Sequence, residues 1–115
     1  MRGAEKSWED SEILLKGKRY DFGAYAAHLA LEKALKGHVT RATGDIPPRT
    51  HDWTYLAKLS RLSFSEEQSA FLDYFNTYQL EGRYPEVDTP APIPVTVMAD
   101  IGQAKDMFQL LKQQL

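Results

Sequence analysis

Three stretches of this chain carry side chains able to do chemistry. The first is a stripe of Tyr25, His28, Glu32 and Lys36, with Lys33 at its border. The second is Thr50-His51-Asp52-Trp53, and the third is Glu81-Gly82-Arg83-Tyr84-Pro85. Arg83 is the foremost anion contact, because a guanidinium grips phosphate through two parallel hydrogen bonds and stays charged at physiological pH. Tyr84 beside it can stack on a base. His51 offers a second contact at a helix start, where backbone N–H groups also face anions, and Lys33 and Lys36 offer a third. The ligand-binding candidates are therefore Arg83, Tyr84, His51, Lys33 and Lys36, with no catalytic residue assigned. Each has a plainer reading as well. His51 can simply cap or pack, Glu32 and Lys36 can form a solvated i,i+4 pair worth about 0.2–0.5 kcal/mol, and Arg83 can satisfy the last carbonyls of a helix.

Other chemistries are poorly served. The chain has no cysteine, so it offers no disulfide, no thiolate metal site and no cysteine nucleophile. Its histidines, His28, His38 and His51, lie on different segments without a His-x-x-x-His or His-Glu pair, so neither a metal nor another cofactor is expected. There is no nucleophile-elbow sequence for a serine hydrolase. Fourteen basic against sixteen acidic side chains give a net charge of −2, which argues against a duplex-DNA binder or a polybasic membrane patch. No apolar run approaches the roughly 20 residues of a spanning helix, and MRGAEKSWED lacks the apolar core of a signal peptide. A soluble cytoplasmic protein without membrane contact is expected.

The elements that must position these residues are helices. The chain's 115 residues suit a single domain, 1–115, with one core. Tyr20 to Val39 reads as a central helix capped by Asp21, apolar over most of its circumference and rich in alanine, so other helices must flank it closely. Ala4 to Lys18 reads as a first helix, and the gap at Gly17 is so short that the two must form an antiparallel hairpin with Trp8 against the central helix. The segment TRATGDIPPRT is a stiff connector, because its paired prolines cannot donate backbone hydrogen bonds. Thr50 is expected to cap a short third helix ending near Arg61. Ser65-Glu66-Glu67-Gln68 is a capping box opening a fourth helix to about Leu80. RYPEVDTPAPIPV then predicts an extended crossover, and Thr96 the cap of a last helix with the stripe Ile101, Ala104, Phe108, Leu111 and Leu115. The fold expected is all-α, a five-helix up-and-down bundle with a four-helix core. Phe71, Leu72, Tyr74, Phe75 and Tyr78 crowd adjacent faces of the fourth helix, which suggests a second surface to bury in a homodimer.

Taken in order, the tryptophan-bearing first helix, GKRYDFGAYAAHLALEKALKGHV, PPRTHDWTYL, QLEGRYPE and the final amphipathic helix resemble the HEPN domains of prokaryotes. LEKALK, THDWTYL and GRYP are the most specific parts, and the likeness covers nearly the whole chain. The resemblance implies a HEPN-like all-α bundle, usually a homodimer, often encoded beside a minimal nucleotidyltransferase and sometimes the toxin half of a toxin–antitoxin pair. Many HEPN proteins are metal-independent RNases with an arginine, four to six intervening residues and a histidine. Here Arg83 has no histidine after it, Arg41 precedes His51 by too many residues and Arg49 by too few. Without an imidazole in that place, general acid–base chemistry on the RNA 2′-hydroxyl lacks its carrier. The expected function is therefore non-catalytic, a nucleotide-binding or partner-binding module acting with a nucleotidyltransferase, and RNA is a further possible ligand. The alternatives are an RNA-cleaving toxin with a non-standard site at Arg83 and His51, and a purely structural dimerisation module. Arg83 is expected in a cleft also lined by His51 and Lys33, on the condition that the end of the fourth helix meets the start of the third.

Overall fold

Alanine decides the centre of the fold. In the computed structural model, which describes residues 2–78 and 94–114, helix α2 (Tyr20–Thr43) buries Ala24, Ala27, Ala30 and Ala34 to 1% exposure or less together with Leu31 and Leu35. Such small side chains let neighbouring axes approach closely. Helices α1 (Arg2–Lys16), α3 (Trp53–Ser60) and α5 (Pro94–Gln113) all pack against α2, while α4 (Glu66–Phe75) bridges α3 and α5. A 3-10 turn, Asn76–Tyr78, follows α4 directly. The architecture is the all-α, five-helix bundle that the periodicity predicts.

The α1–α2 hairpin closes through Gly17, Lys18 and Arg19. The Arg19 N–H reaches the Leu14 carbonyl at 2.8 Å and the Lys18 N–H the Leu15 carbonyl at 3.0 Å, with Lys18 in the left-handed region at φ 60°. The helices pass close to each other at Gly23, where a Cβ would come within 2.7 Å of Leu15 Cγ. Beside it the buried Ser11 hydroxyl donates to the Gly23 carbonyl at 2.6 Å. The Trp8 ring joins the core cluster of α2 residues and stacks on Phe108 of α5 at 5.1 Å.

Three expected caps are displaced. Helix α2 starts at Tyr20 with Arg19 as N-cap and no side-chain capping bond, which leaves Asp21 in the first turn, favourable to the helix dipole. Asp52, not Thr50, caps α3 by accepting from the Tyr55 N–H at 3.2 Å, and Thr50 instead accepts from the Asp52 N–H in the preceding turn. Helix α5 already begins at Pro94, whose missing N–H falls among donors with no helical partner, so Thr96 lies inside the helix. The capping box of α4 forms in full, Ser65 Oγ accepting from the Gln68 N–H and Gln68 Oε1 from the Ser65 N–H.

Helix α4 gives way to the 3-10 turn after Phe75, short of the expected end at Leu80, which lies outside the described residues with Leu115 and the crossover up to residue 93, while Pro94 and Val95 of the expected crossover are helical in α5. Its aromatic residues are largely taken up within the chain. Leu72, Phe75 and Tyr78 are buried and Phe71 packs on the core, which leaves only Tyr74 of that set half exposed. The Tyr74 and Tyr78 hydroxyls both donate to Asp100 Oδ2 at 2.6 Å, fastening the end of α4 and its turn to α5. The hydrogen bond to Asp100 raises the Tyr74 phenol above its ordinary range, and burial followed by the same carboxylate raises that of Tyr78.

Candidate functional site

The polar stripe of α2 is not a solvated face. His28 and Glu32 are buried, covered by the start of α3 and the end of α4. The connector after α2 runs back along the helix, so that Trp53 in the first turn of α3 meets Glu32 rather than the last turn of α2. Around Glu32 three donors converge. The Trp53 Nε1–H reaches Oε1 at 3.1 Å, His51 Nδ1 lies 2.9 Å from Oε1 and 3.2 Å from Oε2, and Lys36 Nζ lies 3.5 Å from Oε2. Burial alone pushes the Glu32 carboxyl up, but the hydrogen bonds from His51 and Trp53 and the Lys36 charge outweigh it and hold the group below its ordinary range. An ionised Glu32 can only accept, so His51 presents Nδ1–H to it. The carboxylate side chain is 5% exposed, against 27% for Lys36 and 46% for His51, so the basic groups form a rim over it.

Asn76 completes the arrangement from the end of α4. Its Nδ2–H donates to the His51 carbonyl at 2.9 Å, which turns Oδ1 toward His28 Nε2 at 2.8 Å. His28 must then carry its proton on Nε2, leaving Nδ1 as a bare acceptor that is buried and without a partner. The His28 ring stacks on Trp53 with centroids 4.5 Å apart. Burial lowers its pKa from the ordinary value, more than the Asn76 bond and the nearby Glu32 charge restore, so the ring is neutral at physiological pH. Indole, imidazole, carboxylate and amide thus form one network across α2, α3 and α4.

The sequence candidates divide. His51 and Lys36 meet at Glu32. Lys33 turns instead to α1, donating to Ser7 Oγ at 2.9 Å. Arg83 and Tyr84 lie outside the described residues. The Asn76 bond does establish that the end of α4 meets the start of α3, the condition on which the expected cleft depends. Sequence reasoning missed Asn76 and the polar edge of Trp53. Trp53 reads as an inward apolar residue and Asn76 as an ordinary helix-end residue, and only the facing of α3 and α4 onto the stripe gives them a role.

The family profile described as HEPN domain matches residues 1–113. This chain belongs to the HEPN domain family. Comparison with curated proteins and with solved structures gives no significant match. In this HEPN domain the three motif segments therefore have a physical relation for at least two of them: LEKALK supplies the carboxylate and lysine, and THDWTYL supplies the imidazole and indole that bind that carboxylate.

Proposed function

We propose that this HEPN domain is a binding module without turnover, holding a phosphate-bearing ligand, a nucleotide in the first place, at the rim formed by His51 and Lys36. The observation that carries this reading is Glu32. A shielded carboxylate fixed by Trp53 anchors one imidazole and one ammonium, so an arriving anion meets the Lys36 ammonium and an imidazole that donates to it in its protonated form, both already held in place. Arg83 and Tyr84 belong to the reading on their chemistry alone, as a bidentate phosphate contact and a stacking surface. The homodimer and the nucleotidyltransferase partner of a toxin–antitoxin pair rest on family membership. The test is calorimetric titration with ATP and GTP. Binding weakened by about 1.5–3 kcal/mol in Arg83→Ala, with the melting temperature nearly unchanged, is the expected result. No heat with either nucleotide refutes it.

A second reading has its own observation. An imidazole held through Nδ1 by a buried carboxylate is the arrangement of a general base, and the Glu32–His51 pair supplies it where the RNase motif is absent. Metal-independent cleavage of single-stranded RNA by the purified protein, abolished in His51→Ala, would replace the binding reading with this one.

A further inference from the structure

The seam between α4 and α5 is tied at one end and open at the other. Beyond the Tyr74 and Tyr78 hydroxyls on Asp100, toward the N-terminus of α4, the helices part around a groove of about 390 Å³. Its floor is Phe71, Met107 and Leu110, and its rim is Glu67 from α4 and Asp106 from α5. Both carboxylates are exposed, and among the described residues neither has an ion-pair partner. No cation of the flanking helices relieves them. Helix α4 contains no basic residue. The two lysines of α5 face away, Lys112 toward Glu5 and the Phe108 ring, and Lys105 toward Trp8 on the α1 side.

An apolar trough with a rim of one sign selects its occupant. Nucleic acid is repelled by it. A second copy pairing through the same face would set one acidic rim against the other, because a two-fold contact is self-complementary. We propose that the α4–α5 groove receives an amphipathic helix of a partner protein whose apolar stripe is flanked by lysine or arginine. From Gln103 to Leu110 the groove wall runs roughly 10 Å, or two helical turns, at 1.5 Å per residue. That length admits anchors at i, i+3 or i+4, and i+7 over the floor, with cations reaching the rim on both sides. This surface is separate from the His51 rim in both place and sign, and does not depend on what that rim binds.

The test uses the full chain and two synthetic peptides of about 18 residues, long enough to populate helix, each with the same leucine stripe but flanked by lysine in one and glutamate in the other. Fluorescence anisotropy should show binding of the lysine-flanked peptide alone, weakened about tenfold or more in Glu67→Lys/Asp106→Lys, which should instead take the glutamate-flanked peptide. Amide shifts should centre on Phe71, Met107 and Leu110. The two substitutions are at exposed positions, and circular dichroism checks that the variant remains folded. Equal binding of both peptides, binding by neither, or shifts confined elsewhere overturn the proposal. So does self-association in sedimentation that the charge reversal abolishes, because a second copy would then be the occupant.

Discussion

Two histidines on the same helix are buried to almost the same degree and do opposite things. His38 is 3% exposed, and its Nε2–H donates to the Leu111 carbonyl at 2.7 Å. One turn on, Arg41 reaches the Gln114 carbonyl at 2.9 Å. Together they satisfy carbonyls at the end of α5 that have no helical partner, which is what a helix terminus requires. His28 is 2% exposed, yet it keeps an unpartnered nitrogen and touches a network that includes a shielded carboxylate and a half-exposed imidazole. A buried histidine identifies a site only when its partners are themselves side chains with chemistry. One end of α2 is fastened, and its middle is poised.

The largest expected effect is at Glu32. Glu32→Ala strips Trp53, His51 and Lys36 of their common acceptor and should cost about 2–4 kcal/mol in urea unfolding, with loss of nucleotide binding. A cost below about 0.5 kcal/mol would mean that the carboxylate anchors nothing. The two histidines should then separate. His38→Phe leaves a helix-end carbonyl unpaired and should cost about 1–2 kcal/mol with binding unchanged. His28→Phe keeps the stack on Trp53 and removes the orphan nitrogen along with the Asn76 bond, so stability should stay within about 1 kcal/mol while binding weakens as His51 loses its support. If both variants change only stability, the distinction between the two regions fails.

How much of this was legible depends on the distance over which a residue's role is decided. The helices are written locally, in the spacing of Ala24, Ala27, Leu31 and Leu35 and of Ile101, Ala104, Phe108 and Leu111, but their ends are not: α2 runs four residues past the expected Val39 into the connector, to Thr43, and α4 stops at Phe75. Caps are less local than they look. Thr50 and Asp52 are both good capping residues, and which one takes the role depends on backbone angles that the connector sets. The site is least local of all. Glu32 reads as a solvated partner of Lys36 because that pair is four residues apart, whereas the residues that bury it stand 19 and 21 positions away.

Acid should reveal the poised region in two steps. His28 has its pKa lowered on folding, so the unfolded chain binds its proton first, and stability falls as pH drops below the ordinary value of 6.5. Glu32 is lowered as well, so its contribution is full above its ordinary value of 4.5 and is lost as pH falls from there through the folded value. Denaturant midpoints measured against pH should lose the first step in His28→Phe and keep the second. The smallest effect belongs to the fastened end. Arg41→Ala removes an exposed bond and should cost no more than about 0.5 kcal/mol, readable as slight fraying of the last turn of α5 in amide exchange.

The close approach at Gly23 also bears on the order of assembly. Helices α1 and α2 meet through contacts separated by a dozen residues or so, such as Ser11 with the Gly23 carbonyl, and closing so short a loop loses little chain entropy. The hairpin should therefore form early, while the network at Glu32 waits for α3 and α4 to arrive from farther along the chain. A nascent or partly unfolded molecule would hold the hairpin without the site. Pulse-labelled hydrogen exchange should then protect the amides around Ala24 to Leu31 before those of Trp53 to Leu56, and simultaneous protection would show that the bundle condenses as one unit.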